Sequence, residues 1–216
     1  KKKKMQLIPT INEQSFEEIK KKVALVENLV DFVQFDISDG KFTSHVTWNN
    51  PTDLLILNPY LNFEIHLMVE SPEKIIEDWL KIPNVRRVIV HLETINEESF
   101  NQIFSLTNKY QKQLGLAIES KTPWEALVPY VNKIDFVQVL AVSAGPAGQV
   151  FEFSNLEKIK NIKKNYPHLI VEVDGGVNNE TAPLIKIAGA DIINSSSYLF
   201  SDLTKVEEKV KFLEKI

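Results

Sequence analysis

The chain has 216 residues, of which 44% are hydrophobic and 25% are charged, with a formal net charge of -4. A chain of this length can bury one large core, so we expect a single domain over residues 1–216. The acidic balance and the lack of a long basic stripe argue against a nucleic-acid partner, because binding phosphate backbones needs clustered Lys and Arg. The absence of cysteine excludes disulfides and thiolate metal sites and fits a cytoplasmic protein.

The amino-terminal segment starts with four lysines at residues 1–4, which predict a solvated tail. The apolar stretch at residues 5–8 is far too short for a signal peptide or for a membrane span, which needs ~20 apolar residues. We therefore expect no membrane partner.

Strand-length apolar runs alternate with helical segments along the rest of the chain. Candidate strands lie at residues 5–9, 32–36, 63–69, 85–91, 114–118, 136–142, 169–173 and 191–194. Candidate helices lie at residues 15–29, 51–60, 72–80, 97–110, 123–131, 154–166, 179–188 and 201–216, with starting signatures at Ser71, Thr122 and Ser154. Strict alternation predicts a parallel sheet, and eight uniform repeats favour a closed (β/α)8 TIM barrel over an open doubly wound sheet.

Three of these strands carry polar side chains on one face only. Because successive side chains alternate across a strand, Asp36, His66 and Asp174 lie on polar faces opposite apolar ones. All three fall toward the carboxyl ends of their strands, which is where reacting groups are found in such barrels. We expect the three side chains to converge at the mouth of the barrel.

Asp36, His66 and Asp174 together suit a divalent cation, and this mixture of oxygen and imidazole ligands favours Zn, Mn or Fe(II) over Ca. A cation would also remove the cost of burying two neighbouring carboxylates. Each residue alone has an ordinary explanation, since a strand-end aspartate often caps a turn and a single histidine is often structural. Their shared orientation favours the joint functional interpretation.

The other histidines are less informative. His91 follows a buried run and has Glu93 two residues on, so it is either a group that supports the site or, as we favour, a hydrogen-bonded core histidine. His45 and His168 lie in apparent loop and helix-end positions, and we expect both at the surface.

Small residues follow the last three strands. Gly175 and Gly176 follow Asp174, and three serines at 195–197 follow strand 8. Backbone amides in such turns can hold a phosphate, and phosphate sites recur at these positions in barrels. The segment SAGPAGQ, residues 143–149, follows strand 6 and suits a mobile lid. Ordinary turns are the competing interpretation.

The order of these motifs resembles the ribulose-phosphate 3-epimerase family through essentially the whole chain. FDISDGKF, HLMVESPE and VHLE resemble the family's strands 2 to 4, AGPAGQVF resembles its glycine-rich lid, and VDGGVN and GADIINSSSYLF resemble its last two strands. The resemblance implies a metal-assisted 1,1-proton transfer at C3 that interconverts D-ribulose 5-phosphate and D-xylulose 5-phosphate through an enediolate. Such an inversion needs two proton-transfer groups on opposite faces of the substrate.

The same resemblance implies roles for individual residues. Asp36 and Asp174 match the acid/base pair, and Gln34, Asp36, His66 and Asp174 match the metal ligands. The residues expected to bind the sugar phosphate are Thr10, His66, Met68, Gly145, Pro146, Ala147, Gly148, Gly175, Gly176, Ser196 and Ser197. Family members often form homo-oligomers, and the sequence does not fix the number of subunits.

The chain departs from the family pattern at several of these positions. Gln34 stands where the family has a metal-binding histidine, and an amide oxygen is a poorer ligand than imidazole. The other departures are Thr10 for serine, Ser38 and Leu140 for methionines, Pro146 and Ala147 for Phe and Gly, and Ser196 for glycine. Three alternatives stay open: an epimerase for another ketose phosphate, an aldolase-like sugar-phosphate lyase, and a non-catalytic sugar-phosphate binding barrel.

Overall fold

Eight parallel strands close into one barrel, in sequence order, in the computed structural model, which describes residues 4–216. The strands are β1 (Gln6–Ile11), β2 (Phe32–Ser38), β3 (Asn62–Met68), β4 (Val85–His91), β5 (Gln113–Ile118), β6 (Phe136–Leu140), β7 (Ile170–Asp174) and β8 (Ile192–Ser195). β8 pairs with β1, with Gln6 opposite Ile192, so the sheet has no free edge. The predicted (β/α)8 TIM barrel is confirmed. Residues 1–3 of the expected tail lie outside the described residues.

Helices connect the strands on the outside of the barrel. The α-helices are α1 (Phe16–Val26), α2 (Ile76–Leu80), α3 (Glu97–Tyr110), α4 (Asn155–Asn165), α5 (Thr181–Ala188), α6 (Ser197–Phe200) and α7 (Val206–Leu213). Short 3-10 helices cover Pro51–Ile56, Pro72–Lys74, Leu92–Thr94, Trp124–Leu127 and Leu203–Lys205. Within residues 4–216, no helix combines the length and apolar character needed to cross a bilayer.

Two predicted helices do not form α-helices. The segment at 51–60 is a 3-10 helix that ends at Ile56, shortly before Asn58, whose helical backbone is disfavoured because a proline follows it. The segment at 123–131 has only a four-residue 3-10 helix, and the residues after it form turns.

The helix starts were predicted more accurately than their capping. Ser71 and Ser154 precede helices as expected, but neither side chain caps its helix. The hydroxyl of Ser15 accepts the Glu18 N–H instead, and Asn96 forms a reciprocal capping box at the start of α3. These two caps satisfy amide groups that a helix start leaves without partners.

The apolar faces of the strands pack outward against the helices. Phe35 on β2 and Trp79 on α2 are almost fully buried in one apolar cluster, in which Trp48 lies between them with ring centroids 6.3 Å and 5.7 Å away. The alternation of strand side chains therefore turns the opposite faces, with their polar residues, into the barrel.

The amino-terminal end of the barrel interior is filled by an aromatic ring. Phe136 packs there with Ile89 and Ala117, and Gly115 lies directly opposite it in the pairing of β5 with β6. A methyl group on Gly115 would come within 2.5 Å of the Phe136 ring. The missing side chain of Gly115 thus makes room for the ring.

We expect Gly115→Ala to destabilise the barrel by about 1–3 kcal/mol, the usual cost of adding a carbon to a packed core. Urea unfolding followed by circular dichroism measures this change. The double variant Gly115→Ala, Phe136→Leu should recover part of the loss, because leucine leaves more room for the added methyl group. A Gly115→Ala single variant as stable as the wild type would contradict the proposed packing.

Candidate active site

The three side chains expected to converge lie together at the mouth of the barrel. Asp36 is opposite His66 in the pairing of β2 with β3, and Asp174 ends β7. The Nδ1 atom of His66 lies 3.1 Å from Asp36 Oδ1 and 3.7 Å from Asp174 Oδ2. All three residues are buried, and their potential ligand atoms lie within 4.8 Å of one another. Two buried carboxylates so close together require donors or a cation.

Gln34 supplies such a donor from inside the barrel. Its Nε2 donates to Asp36 Oδ1 at 2.8 Å and to Asp174 Oδ2 at 2.7 Å. Its Oε1 accepts hydrogen bonds from the amides of Gln138 and Asn194, both at 2.8 Å. Ionised carboxylates only accept hydrogen bonds, so this orientation of the Gln34 amide gives a donor to both carboxylates and an acceptor to the NH2 groups of Gln138 and Asn194.

Three of these side chains form a group that could hold a divalent cation. Tetrahedral ligands of a cation bound at about 2.0–2.2 Å lie roughly 3.3–3.6 Å apart. His66 Nδ1 lies 3.1 and 3.7 Å from the nearest oxygens of Asp36 and Asp174, which is close to that range.

Gln34, in contrast, presents an N–H group to the centre of the site, and an N–H group does not coordinate a cation. It could act as a ligand only after its amide turns to bring Oε1 inward. That rotation would place its NH2 group against the NH2 groups of Gln138 and Asn194, which now donate to Oε1. The surroundings of Gln34 therefore resist its use as a ligand.

His66 is held from behind by a second buried histidine. Its Nε2 lies 2.9 Å from His91 Nε2, and His91 Nδ1 lies 3.2 Å from Glu93 Oε2. Burial lowers the pKa of His91 to about 4, so His91 is neutral, with one proton on Nδ1 for Glu93. His91 Nε2 then accepts the Nε2–H of His66, and this fixes the other ring nitrogen of His66 toward the carboxylates. Both interpretations of His91 hold: it is a buried, hydrogen-bonded residue and it supports the site.

The carboxylates and His66 shift one another's pKa values. Burial, followed by the charge of Asp36, raises the pKa of Asp174 to about 7. Burial alone would lower the pKa of His66, but the hydrogen bond and charge of Asp36, with the charge of Asp174, raise it above its usual value. Without a cation, the site therefore holds protons near neutral pH.

A second pair of acidic residues lies beneath these groups. Glu64 and Glu172 are fully buried, and burial raises the pKa of both, that of Glu172 well above its usual range. Arg87 donates to Glu64 at 3.3 Å, and Gln138 donates to Glu172 at 2.7 Å. The Gln138 amide therefore donates both to Gln34 in the site and to Glu172 beneath it.

The residues predicted to bind substrate line a single cleft together with Asp36 and Asp174. They are Thr10, His66, Met68, Gly145, Pro146, Ala147, Gly148, Gly175, Gly176, Ser196 and Ser197. The Thr10 hydroxyl is buried and has no hydrogen-bond partner among the described residues. A buried hydroxyl without a partner costs free energy, so Thr10 is suited to bind a polar atom of a ligand in the cleft.

Two glycine-containing segments form the outer part of the cleft. Gly176 has a φ of +67°, and a side chain there would come within 2.4 Å of the Phe151 backbone nitrogen. The lid, residues 143–149, is closed on itself by Gln149, whose amide donates to the carbonyl groups of Ser143 at 2.7 Å and Pro146 at 2.9 Å. The close packing on Gly176 fixes the chain just after the lid.

Sequence reasoning missed several residues of the site. Gln138 and Asn194 carried a detectable signal, because each is a polar residue inside an apolar strand. Asn12, which donates to Asp36 Oδ2 at 3.0 Å, had no such signal, since it lies one residue beyond β1. His45 lies in a loop as expected, but it is only partly exposed and its ring is 2.8 Å from Asn12 Oδ1. His168 is exposed as expected.

Solved structures of other barrels share the fold at low sequence identity. The 3-hexulose-6-phosphate synthase from Salmonella typhimurium aligns with a TM-score of 0.76 over 98% of this chain and 97% of its own, at 13% identity. The orotidine 5'-monophosphate decarboxylase from Sulfolobus solfataricus aligns with a TM-score of 0.65 at 12% identity, over 98% of this chain and 99% of its own. At these identities the likeness shows the barrel architecture alone.

Sequence comparison is more specific. The family model for the ribulose-phosphate 3-epimerase family matches residues 6–200. Proteins named ribulose-phosphate 3-epimerase from Chlamydia pneumoniae and Bacillus subtilis are 33% and 30% identical to this chain. Those alignments cover 85% and 84% of this chain and 82% and 86% of the relatives. The chain therefore belongs to the ribulose-phosphate 3-epimerase family and is an enzyme of the isomerase class.

Proposed function

We propose that this protein interconverts D-ribulose 5-phosphate and D-xylulose 5-phosphate by 1,1-proton transfer at C3 through an enediolate. The convergence of Asp36 and Asp174 at one point of the cleft carries this proposal. They come from β2 and β7 and approach the Gln34 amide nitrogen from two directions. A substrate carbon between two such groups can lose a proton on one face and gain one on the other.

The roles of the neighbouring groups follow from their contacts. Asp36 and Asp174 exchange protons with C3, one as base and the other as acid in each direction. When no cation is bound, His66, which contacts Asp36 and is backed by His91, holds a proton near the oxygen atoms on which negative charge develops. When a cation is bound, the same Nδ1 atom would carry no proton and would serve as a ligand. The unpaired Thr10 hydroxyl is available to bind a substrate oxygen.

We propose a divalent cation, Zn, Mn or Fe(II), as the cofactor, held by Asp36, His66 and Asp174. When bound, the cation supplies Lewis-acid stabilisation of negative charge on the substrate oxygens. The clustering of the three ligand atoms supports this assignment. Gln34 joins them as a ligand only in the turned orientation of its amide.

The phosphate group of the substrate is assigned to the outer cleft. Gly175, Gly176, Ser196 and Ser197 line it next to the lid, and turns of this kind hold phosphates through backbone amides. The position of these turns after β7 and β8 matches the usual phosphate site of barrel enzymes. A small sugar phosphate is therefore the proposed partner.

The location and assembly of the protein stay predictions. A cytoplasmic location is supported by the lack of cysteine and by a rice relative, 29% identical, that is named a cytoplasmic isoform. The number of subunits can be measured by light scattering.

Exchange of the C3 hydrogen in deuterated water tests the proposed reaction. We expect D-ribulose 5-phosphate to exchange at C3 and to form D-xylulose 5-phosphate, both followed by NMR. Release of formaldehyde or another fragment would identify a lyase instead, binding without exchange would identify a binding barrel, and exchange with only another ketose phosphate would change the substrate.

Asp174→Asn should lower turnover by about 100-fold to 10,000-fold, the usual contribution of a general acid or base, while the circular dichroism spectrum stays unchanged. Asp78→Asn, the same change at an exposed position of α2, serves as the matched control and should keep full activity. If Asp174→Asn retains full epimerisation, the carboxylate of Asp174 takes no part in the reaction.

Metal affinity depends on the residue at position 34. Gln34→His should tighten binding of Zn by at least about tenfold, because imidazole is a better ligand than an amide. Gln138→Leu should give a smaller gain, since it removes one of the two donors that hold the Gln34 oxygen away from the site. Competition with a chromogenic chelator measures both. Gln102→His, exposed on α3, is the control, and equal affinity in all four proteins would place Gln34 outside the metal site.

Gly176→Ala should weaken substrate binding because the added methyl group collides with the Phe151 backbone and displaces the segment after the lid. Gly189→Ala is the matched control, since Gly189 also has a positive φ, +109°, but ends α5 away from the cleft. Both variants should lose about 1–3 kcal/mol of stability through backbone strain, measured by thermal unfolding. Only Gly176→Ala should raise KM. Equal changes of KM in both variants would contradict the assignment of Gly176 to the substrate-binding cleft.

A further inference from the structure

Asn12 lies at a junction between the catalytic carboxylate and the lid. Its amide nitrogen donates to Asp36 Oδ2 at 3.0 Å and to the carbonyl oxygen of Gly145 at 3.1 Å. Its amide oxygen lies 2.8 Å from His45 Nε2. One side chain just after β1 therefore contacts three segments: β2, the loop after β2 and the lid.

The chemistry of the three partners allows only one orientation of the Asn12 amide. A carboxylate and a backbone carbonyl can only accept hydrogen bonds, so the NH2 group must face both of them. The amide oxygen is left for His45, whose Nε2 must then carry a proton. The His45 side chain thus fixes the direction in which Asn12 donates.

The lid contacts the same junction through its backbone. Gly145 is buried, with a φ of +132°, and a β-carbon attached there would lie 3.6 to 3.8 Å from side-chain atoms of Thr43 and His45. The Thr43 hydroxyl accepts the His45 backbone N–H at 3.2 Å, which shapes the loop that carries His45. The lid therefore rests on the loop that orients Asn12.

The two oxygens of Asp36 have different partners. Oδ1 accepts from the Gln34 amide and lies 3.1 Å from His66 Nδ1, whereas Oδ2 accepts from Asn12. Asn12 thus holds Asp36 on the side away from Gln34. If the lid moves away, the Gly145 carbonyl leaves and Asn12 loses one of its three fixed contacts.

We propose that Asn12 is a positioning residue that couples closure of the lid to the orientation of Asp36, with His45 holding Asn12 in place. The effect on catalysis rests on the proposed epimerase function, whereas the restraint of the lid by Asn12 does not. Closure of the lid over substrate then restrains the Asn12 amide and, through it, the carboxylate that exchanges a proton with C3. Opening for product release loosens both.

Variants of Asn12 and His45 test this coupling with two independent measurements. The first is kcat and KM for D-ribulose 5-phosphate. The second is the 15N order parameter of the Gly145 amide in the protein without substrate, which is about 0.85 for a rigid backbone and below about 0.6 for a flexible one. Asn12→Leu keeps the size of the side chain but removes its hydrogen bonds. His45→Phe keeps a ring without its N–H, and His45→Gln keeps an N–H donor.

We expect Asn12→Leu to lower kcat on the order of tenfold, because a hydrogen bond to a charged group is lost, and to lower the Gly145 order parameter toward the flexible range. His45→Phe should cause smaller losses of both kinds, and His45→Gln should restore them toward the wild type. Asn165→Leu and His168→Phe, at exposed positions around the end of α4, are the matched controls and should change neither quantity.

Unchanged kcat and an unchanged order parameter in a folded Asn12→Leu variant would overturn the proposal. A fall in kcat while Gly145 stays rigid would overturn the coupling, because Asn12 would then act on Asp36 alone. A wild-type protein that fails to exchange the C3 hydrogen would reject the proposed function instead. The order parameters of Asn12→Leu and His45→Phe would still decide whether Asn12 restrains the lid.

Discussion

The structure of the site depends on one electrostatic constraint, the proximity of two buried carboxylates. Asp36 and Asp174 come together because their strands place both at the mouth of the barrel, and like charges at such distances in a buried position strongly oppose ionisation. The side chains around them respond to this constraint. Gln34 and Asn12 each direct an N–H group toward a carboxylate oxygen, and His66 Nδ1 lies 3.1 Å from Asp36 Oδ1.

The donors are in turn oriented by a layer of side chains deeper in the barrel. Gln138 and Asn194 come from β6 and β8 and donate to Gln34, which comes from β2, so three alternate strands contribute to one layer, as is usual in these barrels. Glu64 and Glu172 below them are fully buried and accept from the same amides. The orientation of Gln34 is therefore a property of the whole barrel interior.

Local patterns predicted the strands and the acidic residues well because both depend on a period of two along each strand. Parity alone placed Asp36, His66 and Asp174 on inward faces, and strand ends placed them at the mouth. The 3-10 helix at Pro51–Ile56 was missed because a crossover between parallel strands does not have to be an α-helix. The contacts of Asn12 with Asp36, Gly145 and His45 were missed because they join the end of β1, the loop after β2 and the lid, and no local pattern encodes contacts over such sequence separations.

This chain has Gln34 at the position where the family resemblance implies a metal-binding histidine. The difference changes how the charge of the carboxylate pair is balanced. An amide N–H stabilises a carboxylate by hydrogen bonding but carries no net charge, so burial and mutual repulsion still raise the pKa of Asp174. A cation would balance the same pair with full charge and favour ionisation of both groups. The two arrangements would compete for one position, because the Gln34 nitrogen lies between the two carboxylates that the proposed cation would contact. The balance between them rests on Gln138 and Asn194, which hold the Gln34 oxygen away from the carboxylates.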